Sequence, residues 1–327
     1  MVKVYKDIEI DVSRIKDKTI AILGYGIQGK AWALNLKDSG FKVIVGLRPG
    51  KSYDLAKADG LAVASVTEAV KRADIIVVLL PDMVQPKVWR EEIEPNLKSG
   101  VSVGFAHGFN IRYGLIKPPS FVDVFLIAPK APGRAVREEY KKGWGVPALV
   151  AVHQDPSGYA MDTALAVAKA NGFSRVGLIE TSFAEETETD LIGEQSVLVG
   201  GLMELIKNGF EALVELGYQP EVAYFEVLNE AKLIMDLVWE KGISGMLTSV
   251  SETARYGGLT VGSQIVDSNV KANMKKFAER VRNGSFADEW TKEYEVGAPR
   301  LKELMEKIRS HQIESTGEQL RRIANTK

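Results

Sequence analysis

Along the first half of the chain, short apolar runs rich in β-branched residues alternate with segments whose apolar positions recur every three or four residues. TIAILGYG (19–26), FKVIVGLR (41–48), ADIIVVLLPD (73–82), VSVGFAHG (101–108), VDVFLIAPK (122–130) and PALVAVHQD (147–155) read as buried strands, with RVGLIETS (175–182) as a last one. Between them, QGKAWALNLKDSG and VTEAVKRA carry helical spacing. Apolar strands joined by helical crossovers predict a parallel sheet covered on both faces.

Near residue 183 the pattern changes, and from there on it predicts helices separated by glycines and no strand. The two clearest run over about 189–216 and 221–241 and are apolar on nearly every face. A helix of that kind is buried in a larger helical assembly or against a partner subunit. The expectation is an α/β domain over 1–182 followed by an all-helical domain over 183–327.

Composition narrows the function classes. A chain of 327 residues is long enough for two substantial cores, and 45% hydrophobic with 26% charged residues is ordinary for a globular protein. The net charge of -1 gives no footprint for nucleic acid or an anionic membrane. With no cysteine, disulfides, thiolate nucleophiles and thiolate metal sites drop out. The start MVKVYKDIEI lacks an apolar signal core, and the run IIVVLL (75–80) is too short to span a bilayer, so a cytoplasmic chain is expected.

Gly24, Gly26 and Gly29 form GYGIQG directly after the first strand and at the start of a helix. In that setting the first glycine makes the turn, the second admits a pyrophosphate and the third lets helix pack on strand. The phosphates then meet the outward N–H groups of the helix N-terminus. This is the dinucleotide fingerprint of a Rossmann-type doubly wound sheet. The second strand ends in Arg48, followed by Pro49, Gly50, Lys51 and Ser52, where an NAD enzyme would carry an acid. Two cations and a hydroxyl suit a 2′-phosphate, so NADPH is preferred, with Asp54 leaving NADH use open.

The helical half holds two acid pairs in apolar company. Asp190 and Glu194 lie four residues apart in TETDLIGEQSVLVGG, as do Glu226 and Glu230 in EVAYFEVLNEAKLIMDLVWE. At about 100° per residue the first pair aligns with Val197, Gly201 and Leu205, and the second with Ala223, Leu233 and Leu237. Four converging carboxylates need protons or cations, and oxygen-only ligation indicates Mg²⁺ or Mn²⁺. Glu185, Glu186 and Glu188 read as a solvated, helix-starting acidic stretch and are set aside. For proton handling, His107 follows one strand in AHGFN and Lys130 ends another in APKAPG. Ser251, in SVSETARYGG, is a candidate for a substrate carboxylate.

The motifs GYGIQG, FAHGFN, APKAPG, ETETDLIGEQ, AYFEVLNE and SETARYGG, in that order, resemble the short-form ketol-acid reductoisomerases (acetohydroxyacid isomeroreductases) over essentially the whole chain. The resemblance implies a knotted helical domain and two Mg²⁺ ions, with Asp190 and Glu194 as ligands from one chain. Glu226 and Glu230 would come from the partner in a homodimer or higher homo-oligomer. It implies that His107, Lys130 and Glu230 serve catalysis and that Ser251 contacts substrate. It places NADP contacts at Gly24, Tyr25, Gly26, Ile27, Gln28, Arg48, Ser52, Asp82, Met83, Val84, Gln85 and Gly133, to which the cation Lys51 is added. Lys51 stands where the family often has serine. The implied reaction is alkyl migration in 2-acetolactate or 2-aceto-2-hydroxybutyrate followed by NADPH reduction, a step in branched-chain amino-acid biosynthesis. Two rivals need no acid pairs: a metal-independent NADP-dependent hydroxy acid dehydrogenase or imine reductase, and a non-catalytic NADP-binding regulator.

Overall fold

The computed structural model describes residues 2–324, and the chain divides into two compact units just after Thr189. The first is built on nine strands: β1 (Val4–Tyr5), β2 (Thr19–Leu23), β3 (Lys42–Gly46), β4 (Ala62–Ala64), β5 (Ile75–Val78), β6 (Ser102–Phe105), β7 (Asp123–Pro129), β8 (Ala148–Gln154) and β9 (Leu178–Glu180). They form one sheet in the order β1-β9-β8-β7-β6-β5-β2-β3-β4. From β4 to β7 every neighbour is parallel, giving the doubly wound order with its switch point between β2 and β5.

The wholly parallel sheet that the apolar runs suggest is only partly realised. β8 runs antiparallel to β7, with Pro129 opposite Ala148, and β1 is antiparallel to β9. The chain leaves β7 and re-enters β8 at the same end of the sheet, so no crossover is made there. The strands β1 and β4, of two and three residues, are too short for periodicity to reveal.

The helices of this unit are α1 (Ile27–Asp38), α2 (Lys51–Ala58), α3 (Val66–Arg72), α4 (Gln85–Val88), α5 (Phe109–Arg112), α6 (Gly133–Lys141) and α7 (Ala160–Ala170), while α8 (Phe183–Gly193) runs across the division. Two apolar layers flank the sheet. Trp32, Leu36, Phe125 and Phe173 are fully buried in one, and Val70, Trp89 and Phe105 in the other. Each such aromatic contributes roughly 2–3 kcal/mol by leaving water, and Trp32 meets Phe173 edge-on at 5.2 Å.

The second unit is helical throughout its described residues: α9 (Gly200–Glu215), α10 (Pro220–Tyr224), α11 (Glu230–Ser249), α12 (Glu252–Ile265), α13 (Ser268–Arg282), α14 (Ser285–Glu295), α15 (Pro299–Arg309) and α16 (Gln312–Ala324). Its own core is small: Phe210, Ala223, Tyr224 and Ile313. α11 and α12 bury no residue at all, and Leu198, Phe225, Leu233, Trp239 and Ile243 are exposed in the single chain. No helix among the described residues is long and apolar enough to cross a membrane.

The long helices also depart from a straight 100° progression. π-helical turns occupy Glu194–Leu198 and Phe225–Asn229, and Gly242 breaks α11 at φ 72°. Each wide turn shifts the phase, so the alignment of Glu194 with Leu205, or of Glu226 with Leu237, does not carry through. A Cβ on Gly200 would stand 2.2 Å from the Gln195 carbonyl, and one on Gly201 2.1 Å from that of Ser196. Those five-residue approaches are what the glycine pair permits.

Candidate active site

The carboxyl ends of the parallel strands carry the dinucleotide site. Gly24, at φ +103°, turns the chain out of β2, and a Cβ there would lie 2.6 Å from the Leu79 carbonyl. One on Gly29 would fall 2.2 Å from the Gly24 carbonyl, so α1 can pack this closely only with glycine. Gly26, the N-cap of α1, has nothing within 4 Å of an added Cβ. That open space above the first turn is where the fingerprint needs room for a pyrophosphate, so the residues fit the cofactor. Gly133 opens α6 against the same place, with its Cβ position 2.2 Å from the Ile27 carbonyl. Ile27 itself is 75% exposed, and Gln28 Nε2 donates to the Ala131 carbonyl at 3.0 Å.

A cavity of about 350 Å³ lies beside this loop, lined by Arg48, Lys51 and Ser52 on one side and Leu80, Val84 and Val88 on the other. It joins an apolar wall to a polar, cationic rim, as an adenosine carrying a 2′-phosphate requires. Other expected contacts have structural duties. The Tyr25 side chain is buried and donates to Asp59 at 2.8 Å; burial first, and the carboxylate beside it, push its hydroxyl far above the usual range. Gln85 is buried too, donating to the Leu80 carbonyl at 2.8 Å and accepting from Asn110 Nδ2 at 3.0 Å. Asn110 also donates to the Asp82 carbonyl, so these amides pin the Asp82–Gln85 loop, including Met83, to α5.

The chemistry-bearing groups meet on α8. Lys130, one residue past β7, donates to Glu186 Oε1 at 2.8 Å, and His107 Nδ1 stands 3.3 Å from Oε2, in ion-pairing reach without hydrogen-bond alignment. Glu186 is 1% exposed. Burial pushes its carboxyl up, but His107 and the Lys130 charge outweigh that and hold it below the ordinary glutamate range. The reading of Glu186 and Glu188 as solvated is therefore corrected. Glu186 is a buried ion-pair centre, and Glu188 pairs with Arg112 at 2.7 Å, tying α5 to α8. Glu185 and Glu186 both stand in the first turn of α8, and Glu185 is exposed and accepts from Thr181. Sequence order hid Glu186, because burial belongs to the far side of a helix and not to a run of acids. One signal was present in the glycine of AHGFN: a Cβ on Gly108 would stand 2.2 Å from Thr187 Oγ1, so only glycine lets α8 come this close to His107.

Helix α8 carries Asp190 one turn beyond Glu186, and ligand atoms of His107, Glu186 and Asp190 lie within 4.8 Å of one another. The carboxylate oxygens of this group suit a hard divalent ion such as magnesium, whereas an imidazole suits softer metals, so it is the acids that fit magnesium. Among the described residues no other such trio forms. Glu226 and Glu230 are exposed. Ser251 is exposed as well and caps α12, accepting from the Ala254 N–H at 3.1 Å.

Strand order, glycine turn and phosphate-sized cradle define the first unit as that of a nicotinamide-dependent oxidoreductase of the Rossmann type. Residues 14–177 match the sequence model of the acetohydroxy acid isomeroreductase NADPH-binding domain, and 183–326 that of the ketol-acid reductoisomerase C-terminal domain. The chain belongs to the ketol-acid reductoisomerase family. It is 68% identical over 323 residues to a ketol-acid reductoisomerase (NADP(+)) of Caldivirga maquilingensis, covering 99% of this chain and 98% of the relative. A counterpart from Pyrococcus abyssi is 60% identical over 325 residues, with coverage of 99% and 98%. Among solved structures, an NADH-preferring ketol-acid reductoisomerase from an uncultured archean superposes with a TM-score of 0.95 at 48% identity, over 98% of both chains.

Proposed function

We propose that this chain is a magnesium-dependent, NADPH-using reductoisomerase that converts 2-acetolactate or 2-aceto-2-hydroxybutyrate into the 2,3-dihydroxy acid, in the cytoplasm. The observation that carries the reading is the buried Glu186 carboxylate held by Lys130 and His107, with Asp190 one turn away, on a chain whose family is reductoisomerase. Two Mg²⁺ would be held by Asp190 and Glu194, with Glu226 and Glu230 supplied by a second copy. What supports the sharing is that Glu226 and Glu230 are exposed in the single chain and lie among exposed apolar residues such as Phe225 and Leu233.

When bound, the metal polarises the substrate ketone and acidifies its tertiary hydroxyl, and NADPH supplies hydride. The residues do the rest. As the alkyl group moves from C2 to C3, the C2 hydroxyl gives up its proton and the C3 oxygen takes one, so a group must both accept and donate nearby. Lys130, fixed by its bond to Glu186, is placed to donate, and Glu230 is the base expected from the partner. His107, 3.3 Å from the other Glu186 oxygen, would support that network. Reduction at C2 would call on the same residues to give its oxygen a proton, with one NADPH and one proton consumed per turnover.

The direct test follows NADPH absorbance with 2-acetolactate, with Mg²⁺ present and then chelated. Oxidation needing both substrate and metal supports the reading, whereas oxidation surviving chelation identifies a plain reductase. Asp190→Asn should abolish turnover while NADPH still binds; unchanged turnover would remove Asp190 from the site.

A further inference from the structure

The cavity beside the dinucleotide turn has on its rim a cation whose carboxylate partner none of the roles above uses. Arg48 at its rim pairs with Glu92, Nη2 to Oε1 at 3.7 Å. Glu92 sits on the π-helical turn Trp89–Ile93 that continues α4, the helix whose Val84 and Val88 form the apolar wall. Its side chain is 26% exposed and that of Arg48 65%. The guanidinium therefore has an anion already within ion-pairing reach.

We propose that Glu92 is a specificity-determining residue that moderates the preference for NADPH over NADH by competing with the 2′-phosphate for Arg48. This rests on reading the cavity as the 2′-phosphate site. A ribose with a free 2′-hydroxyl leaves the Arg48–Glu92 pair intact and brings no charge. A 2′-phosphate carries close to two negative charges into the same space, where Glu92 both repels it and shares its cation. One carboxylate facing a dianion across roughly 7 Å of wet surface changes affinity by about three- to tenfold, less as salt screens it. The acid thus acts on the phosphorylated cofactor alone.

The test is a calorimetric titration of NADPH, NADH, 2′,5′-ADP and 5′-AMP into the wild-type protein and Glu92→Gln at low salt, repeated at high salt. Glu91→Gln, an equal change of net charge on the same turn, is the control. Expected is about three- to tenfold tighter binding of NADPH and 2′,5′-ADP to Glu92→Gln, a gain that shrinks with salt. NADH and 5′-AMP should stay within about twofold, and Glu91→Gln should leave the ratio unmoved. Weaker NADPH binding would overturn the proposal by showing that Glu92 orients Arg48 for the phosphate. Equal shifts for both cofactors would overturn it as a general effect of charge or folding. If wild-type protein bound 2′,5′-ADP no better than 5′-AMP, the cavity reading would fail first and the role of Glu92 with it. If that preference held and Glu92→Gln changed nothing, only the role of Glu92 would fall.

Discussion

The Glu186 carboxylate lies where burial alone would neutralise it, yet Lys130 and His107 keep it ionised. Removing one partner of a buried pair costs more than the pair is worth, because the other is left uncompensated. Glu186→Gln should therefore lower kcat by about 10²-fold or more while the Kd for NADPH, measured by fluorescence quenching, stays put; a variant with near-normal kcat would reduce Glu186 to packing. Asp74 shows the same balance at a purely structural position. Burial pushes its carboxyl up, but the Thr19 N–H at 2.9 Å and Lys98 at 3.2 Å hold it below the aspartate range. A folded value below the unfolded one means stability present above the unfolded value and lost as pH falls through the folded one. Urea midpoints should thus drop on acidification below about pH 4, and Asp74→Asn should lower the neutral midpoint while flattening that slope. Neither environment is written in the local sequence, since Glu186 gains Lys130 from 56 positions away and Asp74 gains Thr19 from 55.

Elements translate these residues into geometry. The π-helical turn at Glu194–Leu198 sits one residue after α8 ends, and Gly200 and Gly201 make it sterically admissible. Wide turns of this kind are uncommon and cluster at functional positions. Gly200→Ala would press a Cβ into the Gln195 carbonyl and drive the turn toward α geometry, rotating Glu194 relative to Asp190. The strain costs about 1–3 kcal/mol, and the expected readout is weaker Mg²⁺ binding in calorimetry with NADPH binding unchanged. Unaltered Mg²⁺ affinity would show that Glu194 does not depend on the turn. Apolar periodicity revealed that these helices exist and roughly where they end. It could not reveal the change of phase, because a π-turn inserts a residue without altering composition.

For the whole molecule, the first unit buries its aromatics in two layers, whereas α11 and α12 bury nothing and leave Trp239 82% and Ile243 69% exposed. Exposed large apolar side chains in this number are what an interface would cover, and a second copy is the occupant the shared-site proposal calls for. Trp239→Asp should shift the protein toward monomer in analytical ultracentrifugation and depress activity in proportion, with far-UV circular dichroism retained. A fully active monomer would refute the shared site.

By itself the sequence determined the α/β-then-helical order, the glycine turn, the cationic loop, the acid pairs and the family, because these rest on spacing along the chain. Only the tertiary structure decided that β8 turns back against β7, that Glu186 is buried where Glu185 and Glu188 are not, that Gln85 and Tyr25 face inward, and that Glu92 pairs with Arg48. Each of those depends on which distant segment covers a residue. Burial and charge pairing are properties of three-dimensional neighbours, and a linear pattern carries them only where a glycine, such as Gly108, records how closely two segments must approach.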